Sequence, residues 1–443
     1  MAKNLKKFAQ HTDYEAFTGT TYLKPNVSYC QDVKDVHYNP KPPLCLTFEA
    51  IESGTFTFSG NSIDYSLDNG ATWTTLASNT SSPTVAAGDK IMWKGEIVPA
   101  SSKGVGRFRS SGQFNVLGNP MSLLYGLDIN NKSSLSGKNY AFYGLFSGCT
   151  RLVSAENLKL EKISEVSNYC YAYMFYNCTN LITPPQLPAT TVSNYCYSYM
   201  FYNCTSLITP PQLPATTLAP SCYYYMFNRC TSLTVVPILS ATTLADSCYT
   251  YMFGNCTTIT SVPRMSADAG NTLLYIPGMF EGCTSISSVG QMTLGSNSSV
   301  NLKRMFSGCT SLSDASNITI ICPKINAVYM FYGCTSLQVS PVINGTFAHC
   351  DGVVWQGASE TGGWHMFDGC NALRQITYLG SALGGYSEDE MTLTRYYHYS
   401  YYWVYNVAST GTFIKKAGVT ITYEGSSACG QNTIPCNWTI VEQ

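Results

Sequence analysis

Residues 200–230 read MFYNCTSLITPPQLPATTLAPSCYYYMFNRC, and the motif Met-Phe-x-x-Cys that opens this stretch returns at its end, 26 residues later. The chain contains nine copies of the motif. In each copy Phe precedes Cys by three positions, Met or Leu precedes it by four, and Leu or Ile follows it by three. The nine cysteines are Cys149, Cys178, Cys204, Cys230, Cys256, Cys283, Cys309, Cys334 and Cys370. Such a fixed period predicts a solenoid, in which each repeat buries its apolar face by stacking on its neighbours.

The segment before each cysteine has the apolar spacing of a helix. In residues 244–253 the apolar side chains fall at i, i+4, i+8 and i+9, on one face of a helix. Gly or Asn precedes the cysteine in eight of the nine copies, and both tolerate the left-handed conformation that ends a helix. We therefore predict a short helix that ends at the cysteine, followed by an apolar strand. Because a proline donates no ladder hydrogen bond, we expect that strand to be short where prolines recur, at Pro185, Pro211, Pro237 and Pro263.

The cysteines fit packing better than cysteine chemistry. Four copies carry a second cysteine eight residues upstream, at Cys170, Cys196, Cys222 and Cys248. Eight helical residues span about 12 Å, which exceeds the roughly 7 Å that a disulfide allows. No close pair of the C-x2-C kind that binds zinc occurs. The prediction is a ladder of buried free thiols. For Cys429 and Cys436 two alternatives stay open, a small disulfide loop formed under oxidising conditions or inert thiols.

Composition excludes several classes of partner. With 25 basic and 26 acidic residues the net charge is −1, so nothing favours nucleic acid or an anionic membrane. Charged residues are only 12% of the chain while Tyr numbers 33, which predicts a surface of Ser, Thr, Asn and Tyr. No apolar run is long enough to insert into a membrane. The basic residues 1–10 are followed by polar ones, so we expect no signal peptide and folding in a reducing cytosol.

The chain divides into four predicted parts. Residues 1–44 are polar and proline-rich and predict an extended attachment arm that orders on a partner. Residues 45–126 alternate apolar and polar at 46–50, 55–59, 91–95 and 113–116, and Asp68-Asn69-Gly70 signals a hairpin, which together predict a β-sandwich. Residues 127–375 form the leucine-rich-repeat solenoid, and residues 376–443 form a β-rich cap and a candidate binding region. The predicted fold class is mainly β with short helices.

Two resemblances point to function. The cores MFSGCTSL (305–312) and MFYGCTSL (330–337) resemble the BspA-like leucine-rich repeats and related 26-residue repeats of bacterial surface proteins, over about 250 residues. The segments NLKKFAQHTDYEAF, KPNVSYCQDVKDVHYNP, GNPMSLLYG, ASTGTFIKKAG and IPCNWTIVEQ are similar to segments of structural proteins of gut phages, including crAss-like ones. The resemblances imply a right-handed horseshoe or solenoid that serves surface recognition rather than catalysis.

The sequence offers no convincing catalytic or metal site. The five histidines are His11, His37, His349, His365 and His398. A metal site would have to combine His349, Cys350, His365 and Cys370, whose spacing matches no standard motif. The acidic residues 388–390 are consecutive and cannot flank a substrate as glycosidase carboxylates do. We therefore expect a protein that is not an enzyme and has no catalytic residue, metal or cofactor.

Three groups of aromatic residues are candidates for binding, because Tyr and Trp give rigid contact area at low entropic cost. The first group packs seven rings into residues 395–405, although these side chains would alternate into the core if the segment were a strand. It comprises Tyr396, Tyr397, Tyr399, Tyr401, Tyr402, Trp403 and Tyr405. The second group lies in the repeats, where tyrosines occur two apart and one of each pair should face outward. We select Tyr197, Tyr223 and Tyr249. The third group is Trp355 and Trp364, in an insertion that breaks the repeat.

The predicted function is that of a non-enzymatic bacteriophage virion protein: a fibre, a head decoration or a tail-associated protein. It would be made in the host cytoplasm and act at the virion surface, with the arm bound to other virion proteins and the repeats attached to a host surface glycan or protein. We expect no nucleic acid partner and no membrane insertion, and the resemblance suggests a homo-oligomer, with a trimer as our guess. The alternative is a leucine-rich-repeat adhesin of the bacterial cell surface.

Overall fold

The computed structural model describes residues 45–100, 103–129, 132, 134–160, 166–241, 244–268, 273–296, 298–347, 362–380, 403–419 and 434–443. Within these residues the fold is mostly β, with one short helix, α1 (Ser122–Tyr125). No helix in this part of the chain is long and apolar enough to cross a membrane. The strands are β1 (Leu46–Ala50), β2 (Phe56–Phe58), β3 (Ile63–Ser66), β4 (Thr74–Leu76), β5 (Lys90–Lys94), β6 (Phe108–Ser110), β7 (Phe114–Gly118), β8 (Leu152–Leu158), β9 (Ser261–Val262), β10 (Met265–Asp268), β11 (Leu274–Tyr275), β12 (Ser288–Val289), β13 (Met292–Gly295), β14 (Ser299–Asn301), β15 (Ile318–Asn326), β16 (Val339–Phe347), β17 (Gln375–Tyr378), β18 (Gly411–Lys415) and β19 (Trp438–Glu442).

The N-terminal strands form a sheet in the order β4-β3-β5-β1-β7-β8, beside a separate antiparallel pair, β2 and β6. All pairings in the larger sheet are antiparallel except β7 with β8. The predicted hairpin is confirmed, because β3 pairs with β4 across a turn in which Asn69 and Gly70 have φ of 56° and 91°. Asn and Gly are the residues that adopt positive φ most readily, so they set this turn.

The N-terminal sheet and the first repeat share one core. The ring of Phe48 lies 4.7–5.8 Å from the rings of Phe56, Trp93, Phe108, Phe114 and Phe146. Phe146 belongs to the first copy of the repeat motif, and β8 of the same repeat joins the sheet through β7. The repeats therefore grow directly from the N-terminal core rather than from a separate linker.

The segment before each motif cysteine is a coil of consecutive turns, and the helix prediction is wrong. In residues 169–178 the N–H groups of Ala172, Met174 and Tyr176 donate to the carbonyl three residues earlier, not four. The backbone has positive φ at every fourth residue of this segment, namely Tyr169, Tyr173 and Asn177. We call this segment of each repeat, the ten residues that end at the motif cysteine, its turn coil. The Gly or Asn before the cysteine was correctly assigned to the left-handed region, but it closes the last of several turns.

The remaining N–H groups of each turn coil bind the next coil. Tyr171, Tyr173 and Phe175 donate to Cys196, Ser198 and Met200 of the following repeat at 2.9–3.0 Å. The same bonds recur between later coils, from Phe201 to Met226, Phe227 to Met252, Phe253 to Met279, Phe280 to Met305, Phe306 to Met330 and Phe331 to Met366. In all of these bonds the N–H belongs to the earlier repeat and the carbonyl to the later one. An α-helix uses its amides internally, so this sharing with a neighbour explains why an apolar pattern of helical type forms no helix.

Two side-chain ladders fill the core of the stack. The nine motif phenylalanines, from Phe146 to Phe367, stack with centroids 5.4–5.6 Å apart and planes within 15°. Eight motif cysteines, from Cys178 to Cys370, donate their thiols to the carbonyl of the Phe in the preceding coil at 3.0–3.3 Å. The prediction of buried free thiols is confirmed for the nine motif cysteines and for Cys170, Cys196, Cys222 and Cys248. The motif thiols also act as hydrogen-bond donors, which the sequence did not predict. Cys436 is disulfide-bonded, and Cys429 lies outside the described residues.

The later repeats carry a parallel sheet that the earlier ones lack. Strands β10, β13, β15, β16, β17, β18 and β19 pair in that order, each parallel to the next. Two prolines occur in this sheet, Pro323 in β15 and Pro341 in β16, and the register shifts at both places. Described residues between β8 and β9 form only isolated bridges. The predicted shortening of strands at Pro185, Pro211, Pro237 and Pro263 is therefore confirmed, whereas β15 and β16 each contain a proline at a register shift.

Both ends of the stack imitate a repeat. At the start, Phe108 donates its N–H to Leu145 and its ring stacks on Phe146 at 6.0 Å, as a preceding motif Phe would. At the other end, Phe367 donates to the carbonyl of Trp403, and Asn406 has φ of 55°, as Asn177 does. Residues 403–407, WVYNV, thus occupy the place of MFYNC in a tenth turn coil. This copy does not match the sequence motif, because Trp403 replaces Met, Val404 replaces Phe and Val407 replaces Cys.

Candidate binding surface

The inner tyrosines of the repeats belong to the core. Tyr197, Tyr223 and Tyr249 are each 2% exposed and form one column with Tyr171. Neighbouring rings in this column are 5.6–6.2 Å apart. The expectation that one tyrosine of each pair packs and the other faces outward is confirmed. The choice of Tyr197, Tyr223 and Tyr249 for the outer surface is wrong, because no helix sets their direction and the turn coil points them inward.

The outer tyrosines form three columns on one side of consecutive repeats. The first column contains Tyr140, Tyr169 and Tyr195, the second contains Tyr173, Tyr199, Tyr225 and Tyr251, and the third contains Tyr176 and Tyr202. All nine side chains are half-buried. We call this surface the tyrosine face. Its columns follow from the turn coil, which returns to the same side at about every fourth residue.

The rings of the tyrosine face stack on one another. Neighbouring centroids within a column are 4.6–5.0 Å apart, and the ring planes differ by 3–22°. These separations are shorter than those of the inner column. Stacked aromatic pairs at this distance stabilise a fold by about 0.5–1.5 kcal/mol beyond their burial. The stack therefore covers the ring faces and leaves the ring edges for other contacts, and the Tyr199 hydroxyl is hydrogen-bonded to Tyr224.

The tyrosines of the first two columns have a strained backbone conformation. Their tyrosines have positive φ, for example 55° at Tyr199 and 54° at Tyr225. A bulky residue in this region is an outlier, since the left-handed conformation costs roughly 1–2 kcal/mol for a residue with a Cβ. The repeat position of the second column, five residues before the cysteine, is Gly144 in the first copy and Gly278 in the sixth. These residues were not selected from the sequence, and the signal that could have found them is the occurrence of both Gly and Tyr at one repeat position.

The tyrosine face is neutral at physiological pH. Burial raises the pKa of Tyr173 and of Tyr251 to about 12, with smaller contributions from neighbouring groups. Burial likewise raises the pKa of Tyr199 and Tyr225. The hydroxyl groups therefore remain protonated and serve both as donors and as acceptors. Arg229 lies at the border of the face, with its guanidinium 5.9 Å from the ring centroid of Tyr202.

The second column continues into the later repeats with a different chemistry. The ring of Tyr251 covers Gly278, where a Cβ would overlap it. The next positions are Arg304, Tyr329 and His365. The Arg304 guanidinium lies 4.9 Å from the Tyr329 centroid, and the His365 ring stacks on Tyr329 at 5.3 Å. Uncharged phenols therefore give way to a mixed basic and aromatic patch.

Two members of the four-residue set that was rejected as a metal site on sequence grounds are described, and both bind other groups. His365 contacts Asp368 through Nδ1 at 2.8 Å, and the Cys370 thiol donates to the carbonyl of Phe331 at 3.1 Å. His349 and Cys350 lie outside the described residues, as do residues 388–390. Among the described residues no group of three metal-ligating side chains comes together.

The candidate residues of the insertion and the C-terminal segment are partly buried and partly outside the described residues. Trp403 is wholly buried, because it occupies the Met position of the tenth turn coil, so its selection for an exposed site is wrong. Tyr405 and Trp364 are half-buried, and the Trp364 ring lies 5.9 Å from that of Tyr329. The remaining candidates lie outside the described residues: Trp355, Tyr396, Tyr397, Tyr399, Tyr401 and Tyr402.

Comparison with known proteins gives a weak structural likeness. No protein-family model and no curated protein matches the chain. A solved structure that does match is a leucine-rich repeat protein from Bacteroides ovatus, with 14% identity and a TM-score of 0.27. The match covers 62% of this chain and 66% of that chain, slightly less than two thirds of its length. The description of the stacked repeats rests on the hydrogen bonds and ring contacts of this chain itself.

Proposed function

We propose that this chain is a non-enzymatic attachment protein of a phage virion. Its stacked turn coils would form a leucine-rich-repeat solenoid of the BspA-like kind, which holds the tyrosine face toward a host surface glycan or protein. The virion role and the attachment arm at residues 1–44 rest on the resemblances in the sequence. The binding role rests on the tyrosine face.

One observation supports this proposal above the others. Nine half-buried tyrosines share one side of consecutive repeats, and many of them occupy left-handed positions where glycine would be unstrained. Strained residues that a fold does not require are concentrated at functional sites. Tyrosine is also enriched where proteins bind partners, because its ring is rigid and its hydroxyl is polar.

The test is binding of the labelled full-length protein to whole gut bacterial cells before and after removal of the capsule. We expect the wild type to bind cells that carry a capsule, and a Tyr199→Ser, Tyr225→Ser double variant to bind far less. Tyr332→Ser is the matched control, because Tyr332 is 44% exposed in a later repeat and lies outside the tyrosine face. Equal binding by the double variant, or no binding by the wild type to any cell, would contradict the proposal.

A further inference from the structure

The flat sides of the tyrosine rings are covered by the neighbouring rings of the same column. Within each column the rings lie 4.6–5.0 Å apart and nearly parallel, so no ligand ring fits between two of them. A ligand laid on this surface meets ring edges, which carry partial positive charge, and phenol hydroxyls, which donate and accept hydrogen bonds. The contacts on offer are therefore those that an oxygen-rich ligand makes along its length.

The hydroxyls recur along the axis of the stack. In the second column the same side chain is supplied by four successive repeats, through Tyr173, Tyr199, Tyr225 and Tyr251, with ring separations of 4.7–5.0 Å. Each repeat therefore presents the same hydroxyl group at a regular distance along the stack. A linear polymer whose own polar groups recur at a similar distance matches this arrangement. A globular protein without internal repeats offers no such uniform step on its surface.

Charge narrows the ligand further. The nine side chains of the face are all tyrosines. Charged groups lie beside it at Arg229, next to Tyr202, and at Glu281 and Arg304, whose charges act on Tyr251. An acidic polymer would need cations along the whole row, since a buried or half-buried anion requires charged partners. The later repeats supply Arg304, but its guanidinium contacts Glu281 at 3.2 Å. An uncharged ligand matches the row as it stands.

Resting on the proposed function, we infer that the tyrosine face binds a linear, uncharged polysaccharide that lies along the stack. Tyrosine hydroxyls and ring edges would contact it, with about one sugar per repeat along the second column. Sugars supply the hydroxyl groups that pair with phenols, and a homopolymer supplies the uniform repeat. The backbone strain at Tyr199 and Tyr225, where other copies have glycine, is an independent sign that these side chains serve something other than the fold.

The experiment uses capsular polysaccharide taken from cells that bind the full-length protein. The polysaccharide is partly hydrolysed, separated by ion exchange into neutral and acidic fractions, and each fraction is sized. Binding of each fraction to the full chain is measured by calorimetry. We expect binding in the neutral fraction, with an affinity that rises with each added sugar and levels off near the tetrasaccharide, which spans the four rungs of the second column.

The decisive variant is the double change Tyr199→Phe, Tyr225→Phe, which keeps the stacked rings and removes two hydroxyls. It should lower the affinity for the tetrasaccharide about tenfold, the order expected for the loss of two hydrogen bonds. Tyr332→Phe, outside the face, and Tyr223→Phe, in the inner column, are matched controls that should leave the affinity unchanged.

Several results would overturn this inference while leaving attachment in place. They are binding in the acidic fraction only, an affinity independent of length, or an undiminished affinity in the phenylalanine double variant. Loss of cell binding after protease treatment, with capsule intact, would likewise overturn it in favour of a protein partner. If the wild type bound no cell at all, the proposed function itself would fail, which is a separate outcome.

Discussion

The repeats that end at Cys178 to Cys256 and those that end at Cys283 to Cys370 share one turn coil but differ in the segment that follows it. The segments that follow Cys178, Cys204 and Cys230 are rich in proline and have no named strand in their described residues, whereas the segments from Cys256 onward contain strands, most of which pair in a parallel sheet. The tyrosine face begins at Tyr140 in the first copy, covers the earlier group and ends at Gly278. The Phe and Cys ladders run through both groups without a break.

This difference shows which part of the repeat holds the stack together. Since the early repeats stack with only isolated bridges in place of a sheet, the turn coil and its ladders are sufficient for stacking. The sheet is an addition that the later repeats gain where proline is absent or falls at a register shift. Five predictions test this interpretation, beginning with the largest expected effect.

Alkaline pH should unfold the early repeats first. Burial raises the pKa of Cys230 and Cys248 from the ordinary 9.0 to about 12, and it raises that of Tyr223 further above its usual range. A thiol that stays neutral when folded but ionises when unfolded contributes its full stability below about pH 9, and this contribution falls as pH rises toward the folded pKa. Only the early repeats carry two thiols within one turn coil, together with a buried tyrosine column.

The measurement is alkylation with iodoacetamide over a series of pH values, followed by peptide mass spectrometry. The upstream cysteines Cys196, Cys222 and Cys248 should be labelled at lower pH than Cys309 and Cys334. Simultaneous labelling of all of them would show that the whole stack unfolds as one unit.

Truncation of the Phe ladder should cost the same in both groups. Phe227→Ala in the early repeats and Phe306→Ala in the later ones each remove a wholly buried ring, for which about 3–5 kcal/mol of the free energy of unfolding is expected. Urea unfolding measures both. A markedly smaller loss for Phe306→Ala would mean that the sheet, rather than the turn coil, carries the stability of the later repeats.

A new proline should separate the two groups. Thr319→Pro removes a ladder hydrogen bond from β15, which pairs with β13 on one side and β16 on the other, and should cost about 1–3 kcal/mol. Pro211→Ala, in an early repeat without a strand, should cost no more than about 1 kcal/mol, through the greater freedom of the unfolded chain. The same urea assay compares them, and equal losses would remove the distinction drawn here.

Replacing a ladder thiol should cost about 1 kcal/mol in either group. Cys230→Val and Cys309→Val remove the donors to Phe201 and Phe280 while keeping a side chain of similar size. Val407 already stands at this position in the tenth turn coil. Cys230→Ser is the companion variant, since its hydroxyl can still donate. If the valine variants were as stable as the wild type, the thiol bond would contribute nothing.

The smallest effect is expected at the tyrosine face. Tyr225→Gly converts the position to the residue found at Gly278 in the sixth copy. It relieves roughly 1–2 kcal/mol of backbone strain and loses about 0.5–1.5 kcal/mol for each of the two stacked pairs, with Tyr199 and with Tyr251. The free energy of unfolding should therefore change by less than about 1 kcal/mol, while binding to cells with capsule falls. A loss of stability above about 2 kcal/mol would mean that Tyr225 serves the fold.

The sequence predicted the period, the buried thiols and the hairpin, because each depends on local spacing or on one residue type. It failed on the helix because an apolar spacing of i, i+4 and i+8 fits a chain of four-residue turns as well as an α-helix. The two differ in where the N–H groups bond, and half of those bonds go to a neighbouring repeat. A pattern within one repeat contains no information about bonds between repeats.

The sequence predicted that the repeats carry paired inward and outward tyrosines, but it did not predict which tyrosine of each pair faces outward. Paired tyrosines at Tyr197 and Tyr199 indicated one inward and one outward ring, but the direction depends on the sign of φ at Tyr199. Comparison of the copies at that position, Gly144 and Gly278 included, points to the left-handed residue. Trp403 was misassigned because the tenth repeat departs from the sequence motif. The hydrogen bond from Phe367 to Trp403 identifies that repeat in the structure.

The one-way direction of the bonds between turn coils gives the stack an electrical polarity. The peptide between Met174 and Phe175 has its carbonyl toward the preceding coil and its N–H toward the next, and the equivalent peptides of other coils repeat this arrangement. Peptide dipoles of about 3.5 D each then add along the axis, as they do in a helix, with the positive pole at the last coil. The negative pole faces the N-terminal strands, where Arg107 and Arg109 lie beside Gly144 and Gly148 of the first coil. The two ends of the stack therefore favour unlike neighbours, cationic groups at the first coil and anionic groups at the last.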